Sequence, residues 1–155
     1  MGSDDGRAES EAQGAIALVE AAIRALGIDP ESARGPGDGR STQFALRRGS
    51  ARIAVAIHPG EGTREGTLRV AAPVVKLPAV GQREPLYARL LELNARELIG
   101  AAFGVLAGDV VVVTERPLRD LDASEVDAAI RGVGRIADSW DDALASGFGV
   151  QRSSG

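Results

Sequence analysis

The stretch "GVLAGDVVVVTERPL", residues Gly104–Leu118, decides how the chain is read. Four consecutive valines follow a turn signal and stop at Arg116-Pro117, so the segment reads as a β-hairpin whose second strand is apolar on both faces. With Gly108-Asp109 as the two-residue turn, Val105 is expected opposite Val112, Phe103 opposite Thr114 and Leu106 opposite Val111. Phe103, Val105, Val110 and Val112 then share one face, and Gly104, Leu106, Val111 and Val113 the other. Both faces need cover.

On either side of the hairpin the apolar spacing changes from alternating to helical. Downstream, "LDASEV" opens a long helix over about 123–145, with Asp122 as N-cap and Glu125 three residues on as its capping-box partner. Val126, Ile130, Val133, Ala137, Trp140 and Leu144 form its apolar stripe, which makes Trp140 an expected buried anchor. Gly132 and Gly134 weaken that helix and suit close packing on a sheet. Upstream, Pro85 starts a helix running to about Glu97, with Leu86, Leu90 and Leu93 placed on one stripe with Tyr87 and Leu91.

Farther upstream, Gln43–Arg47 and Arg52–His58 alternate on either side of "RGS" and read as a second hairpin. Ile53, Val55 and Ile57 form its buried face, while Ala54 and Ala56 leave the opposite face smooth. Thr67–Leu77 is a third strand, in which Pro73 is expected to bend the chain or mark a sheet edge. A first helix spans about Ala12–Leu26 and is stopped by Gly27. The segment "PESARGPGDGRS" that follows reads as a loop.

The resulting order is α-β-β-β-α-β-β-α, an α+β fold with an antiparallel sheet of about five strands and helices packed on one face. Length favours a single domain over residues 12–146, with flexible ends at 1–11 and 147–155.

Composition excludes more than it proposes. With 44% hydrophobic and 26% charged residues among 155, the chain is an ordinary globular one, and no run reaches the length of a membrane span. A formal charge of −4 with scattered Lys and Arg argues against nucleic acid as a partner, and 3% aromatic residues leave no stacking platform for bases. There are no cysteines, and the acidic start "MGSDDGRAESE" lacks the pattern of an export signal, so a cytoplasmic location is expected.

No motif supports catalysis, a cofactor or a metal. "GVGRIA" (132–137) spells a dinucleotide fingerprint, but it lies inside an amphipathic helix with no strand before it. Asp120, Asp122 and Ser124 resemble the start of a calcium loop, yet Glu125 stands where glycine is required. His58 is the only histidine, and it ends a strand with no ligand motif near it, so it is expected to be dispensable.

From Leu86 to Trp140, "LYARLLELNARELIGAAFGVLAGDVVVVTERPLRDLDASEVDAAIRGVGRIADSW" resembles the YbjN family and its relatives among type III secretion chaperones. The likeness lies in a helix ending near "LN", a glycine-containing strand, a short turn, a strand ending in "RPL" and an acid-capped helix. It implies a small, often dimeric protein that binds other polypeptides, and it assigns no catalytic residue. The expected function is thus a non-enzymatic, chaperone-like or regulatory binding module of the bacterial cytoplasm, acting as a homodimer with a possible polypeptide client. Val111, Val113, Leu106, Ala54 and Ala56 are the expected dimer or client surface. The alternatives are a small-molecule-binding or enzymatic α+β domain, with its pocket between the sheet and the last helix, and a purely structural subunit.

Overall fold

A computed structural model describes residues 2–153, with side chains from residue 5 on. In chain order the elements are α1 (Gly2–Ala25), α2 (Pro30–Ala33), β1 (Arg34–Gly35), β2 (Thr42–Arg48), β3 (Ala51–His58), β4 (Thr67–Lys76), a 3₁₀ turn (Val80–Gln82), α3 (Arg83–Arg96), β5 (Ala102–Leu106), β6 (Asp109–Pro117) and α4 (Ala123–Phe148). The α+β expectation holds. The strands form one six-stranded antiparallel sheet, ordered β1-β2-β3-β4-β6-β5, on which α1, α3 and α4 pack. The sixth strand is β1, two residues inside the stretch read as a loop, where Arg34 pairs with Phe44 and Gly35 with Gln43. So short a strand leaves no alternation to detect.

Residues group into two compact units. The first comprises residues up to Leu46, Ala54–Val70 and Glu115–Ile130. Its interior is built from Val19 and Ile23 of α1, Phe44 and Leu46 of β2, Val55 and Ile57 of β3, and Val126 and Ile130 of α4, all buried. α1 ends as expected: Gly27 takes φ 78°, its N–H reaches the Arg24 carbonyl at 2.9 Å, and the Ile28 N–H reaches the Ile23 carbonyl at 3.2 Å. Those bonds close a Schellman motif, whose left-handed residue favours glycine. The capping box also forms, since the Glu125 N–H donates to Asp122 at 2.9 Å and the Asp122 N–H to Glu125 at 3.2 Å. The hydroxyl of Ser124 and the N–H of Glu125 hold the Asp122 carboxyl below its ordinary pKa, against a smaller opposing effect of burial.

Gly66 is a close backbone approach in this unit, with three neighbours crowding the place of a side chain. A Cβ there would stand 2.8 Å from Leu118 Cδ1, 2.9 Å from the Gly60 nitrogen and 3.0 Å from the His58 oxygen. Two of these neighbours are backbone and cannot swing aside. Gly66→Ala is therefore expected to cost about 1–3 kcal/mol in urea denaturation, as overpacking does. A variant as stable as the parent would show that the loop gives way.

The second unit comprises Arg47–Ile53, Ala71–Thr114 and residues from Arg131 on. Its core gathers Ile53, Val74, Leu86, Leu93, Phe103 and Leu144. The β5–β6 hairpin is present, but its turn is Ala107-Gly108, with φ 50° and 85°, so Leu106 pairs with Asp109, Val105 with Val110, Gly104 with Val111 and Phe103 with Val112. Two positive φ angles give the primed turn that matches strand twist, and Ala107 accepts a conformation costly for a side chain. The register differs from the expected one by two residues, which leaves every side chain on its expected face.

β4 lies inside the sheet order, so Pro73 does not mark an edge strand. One missing N–H is a small loss in a ten-residue strand. Gly134 has the expected close approach, a Cβ there falling 2.9 Å from Ile53 Cδ1, whereas Gly132 faces open space. Trp140 corrects an expectation: it is half-buried, with the Arg89 guanidinium 5.8 Å from its ring centre. The neighbouring interior position of α4 is taken by Asp141, which is buried.

Candidate interaction surfaces

The five residues singled out from sequence fall in different settings. Val111 is 7% exposed and belongs to the packing, Val113 is half-buried, and Leu106 at the hairpin tip is 53% exposed. Ala54 is exposed and Ala56 half-buried, both on β3 in the first unit. The side chains on β3 are small, while at the hairpin tip Leu106 is joined by the exposed Val105.

A larger apolar surface lies on α3. Leu86, Leu90 and Leu93 point inward and are buried, as expected. Leu91 does not share their stripe; it is 67% exposed, and Val80 in the preceding turn is 78% exposed. These two line a shallow, largely apolar cleft with Tyr87, Ala88, Arg83 and Glu84. The signal was in the sequence, because Leu91 stands about 140° round the helix from Leu86, too far for one face. Ile99, in the loop after α3, is 93% exposed. Exposed aliphatic side chains gathered on a helix and the turn before it are the physical mark of a contact surface.

On the side of α3 facing β5, Asn94 closes the sheet edge. Its Nδ2 donates to the Phe103 carbonyl at 3.1 Å and its Oδ1 accepts from the Phe103 N–H at 2.7 Å. One amide side chain thus supplies the donor and acceptor that another strand would bring.

The tail after α4 is held in place. Gly149 turns the chain at φ 61°, and Arg152 then bridges to Val75, flanked by bonds from the Lys76 N–H to the Gln151 carbonyl at 2.8 Å and from the Ser153 N–H to the Val74 carbonyl at 2.9 Å. The Arg152 guanidinium meets Asp142 at 2.8 Å and Asp141 at 3.3 Å. Those partners raise its pKa, with the Asp142 hydrogen bond foremost, then the Asp141 and Asp142 charges, and a lesser contribution from Asp138. Ser153 Oγ donates to Asp109, which Lys76 also meets at 2.9 Å. Burial works to raise the Asp109 carboxyl, but the Ser153 hydroxyl and the Lys76 ammonium outweigh it, so it titrates below its ordinary value.

His58 is half-buried at the end of β3, and the glutamates of the loop beyond it are paired elsewhere, Glu61 with Arg40 and Glu65 with Arg119. Among the described residues no cluster of His, Asp and Glu is arranged to hold a metal, and no helix is long and apolar enough to cross a membrane.

Fold and surfaces together define a small α+β protein with exposed apolar residues at α3. The chain belongs to the YbjN family, described as "Putative bacterial sensory transduction regulator", which matches residues 15–146. No curated protein sequence matches it. Among solved structures it is similar to a chain of the ExsC–ExsE complex, at 17% identity and a TM-score of 0.60, over 85% of this chain and 94% of that one. It is similar to a chain of the HopA1–SchA chaperone–effector complex, at 15% identity and 0.54, over 81% and 91%. It is also similar to a chain of the heterodimeric ExoU–SpcU complex from the type III secretion system of Pseudomonas aeruginosa, at 11% identity and 0.53, over 79% and 94%. At these identities the likeness is one of fold.

Proposed function

We propose that this protein is a non-enzymatic, polypeptide-binding regulator of the bacterial cytoplasm that works as a homodimer. The observation that carries the dimer is the outer face of α3, where Val80, Tyr87, Ala88 and Leu91 form an apolar strip beside charged ends. Arg83 and Glu84 stand at the start of that helix and Arg96 and Glu97 at its finish. Two copies laid antiparallel about a two-fold axis bring Ala88 against Leu91 of the partner subunit and the apolar strip against its own copy. A surface complementary to itself is what an isologous dimer requires. Polypeptide binding is supported by family membership and by the fold shared with chains of chaperone–effector and related complexes.

Light scattering tests the dimer. The parent chain is expected at twice its chain mass, and Leu91→Glu at the single-chain mass with unchanged circular dichroism, since Leu91 contributes little to the core. A parent chain that stays monomeric at its highest soluble concentration removes the dimer reading. A Leu91→Glu variant that stays dimeric moves the interface elsewhere.

A further inference from the structure

We propose that the strand-end slot filled by Gln151–Ser153 is a docking site for an extended, arginine-bearing polypeptide, and that the chain's own tail holds it shut. The inference rests on the polypeptide-binding reading and names the chemistry of the segment bound. What seats the tail is strand addition: the Lys76 N–H and the Val74 carbonyl, two backbone groups flanking Val75 on β4, bond to Gln151 and Ser153. Main-chain bonds of this kind accept any extended segment, so selectivity must come from side chains.

Two positions supply that selectivity. At the first, the Arg152 guanidinium lies between Asp141, whose side chain is 12% exposed, and the exposed Asp142. At the second, the Ser153 hydroxyl rests on Asp109. Beside the seated tail, Arg152 and Ser153 line a small pocket with Ser50, Ala51, Pro73 and Val74 of the strands and their turn and with Ala137 and Asp141 of α4. The Ser50 N–H donates to Asp138 at 3.2 Å and its hydroxyl reaches Asp141 at 3.2 Å, which positions the Asp141 carboxylate independently of the tail. A partner bearing Arg-Ser in extended backbone would therefore find acceptors already in position. The tail is connected through Gly149, and its last helical bond is from the Val150 N–H to the Ala145 carbonyl, so it can leave without disturbing α4. An occupant tethered this way lowers the apparent affinity for a partner by the fraction of time the slot is open.

The test uses full-length chains and a fluorescein-labelled peptide GFGVQRS, the sequence of residues 147–153, followed by anisotropy. Arg152→Ala, which loosens the tail, is expected to bind the peptide about tenfold or more tightly than the parent does. Binding should weaken with added salt and disappear when the peptide's arginine is alanine. Asp141→Asn added to Arg152→Ala should abolish it, and because Asp141 is buried, Asp142→Asn in its place gives a variant whose folding is not at stake and should weaken binding. Equal binding by parent and Arg152→Ala, no binding by either, or indifference to the peptide's arginine overturns the proposal. A dimeric parent whose Arg152→Ala form ignores the peptide sinks the slot alone. A monomeric parent whose Arg152→Ala form binds the peptide sinks only the dimer.

Discussion

Ile130→Ala is expected to lower unfolding stability by about 2–5 kcal/mol, and Trp140→Ala by less than about 2 kcal/mol, although tryptophan is the larger side chain. Ile130 is 1% exposed, at the centre of the buried stripe of α4 that runs through Val126, Val133, Ala137 and Leu144. Its truncation leaves a cavity that close-packed neighbours fill only in part. Trp140 sits at the border of that stripe, only partly buried, with the Arg89 guanidinium 5.8 Å from its ring centre. A cation over an indole at such a site contributes on the order of 1 kcal/mol. Urea denaturation followed by circular dichroism compares both variants on one scale, since Trp140→Ala removes the only tryptophan. A Trp140→Ala loss equal to that of Ile130→Ala would restore the anchor role that helical spacing suggests.

That contrast shows what periodicity resolves. The buried stripe of α4 was legible because six apolar residues recur at helical spacing, yet spacing alone does not tell the centre of a stripe from its border. At the border, Asp141 takes the adjoining interior position because Arg152 neutralises it and the hydroxyl of Ser50, distant in sequence, donates to it. Such pairing across about 90 residues of chain has no local signature. The valine run of β6 was legible as a strand whose two faces both need cover, because an interior strand needs no polar side. Its register was not, since the favoured turn rule passed over an alanine at positive φ.

The exposed apolar face of α3 was present in the sequence but was not singled out there. Two apolar faces on α3 were both present in its residues, but grouping Leu91 and Tyr87 with the core leucines hid the outer one. The tail carries no apolar period at all. Its order comes from backbone bonds to β4 and from one arginine, neither of which composition reveals.

Asn94→Leu is expected to cost about 2–4 kcal/mol, the second largest effect of those named, without a change in side-chain size large enough to leave a cavity. Leucine keeps the branched shape and leaves no cavity but removes both partners of Phe103 at once. The Phe103 N–H and carbonyl then lie beside an apolar side chain at the edge of β5, where each unpaired group costs about 1–3 kcal/mol less whatever water can recover. Asn94→Asp separates the two bonds, since a carboxylate still accepts from the Phe103 N–H but repels its carbonyl. The Leu variant should also expose a strand edge, so its loss of stability should be joined by concentration-dependent association through β5. Denaturation curves and light scattering at several concentrations read the two effects separately. A stable, concentration-independent Asn94→Leu would mean that the β5 edge needs no guard, and that Asn94 holds α3 in place through nothing more than its packing.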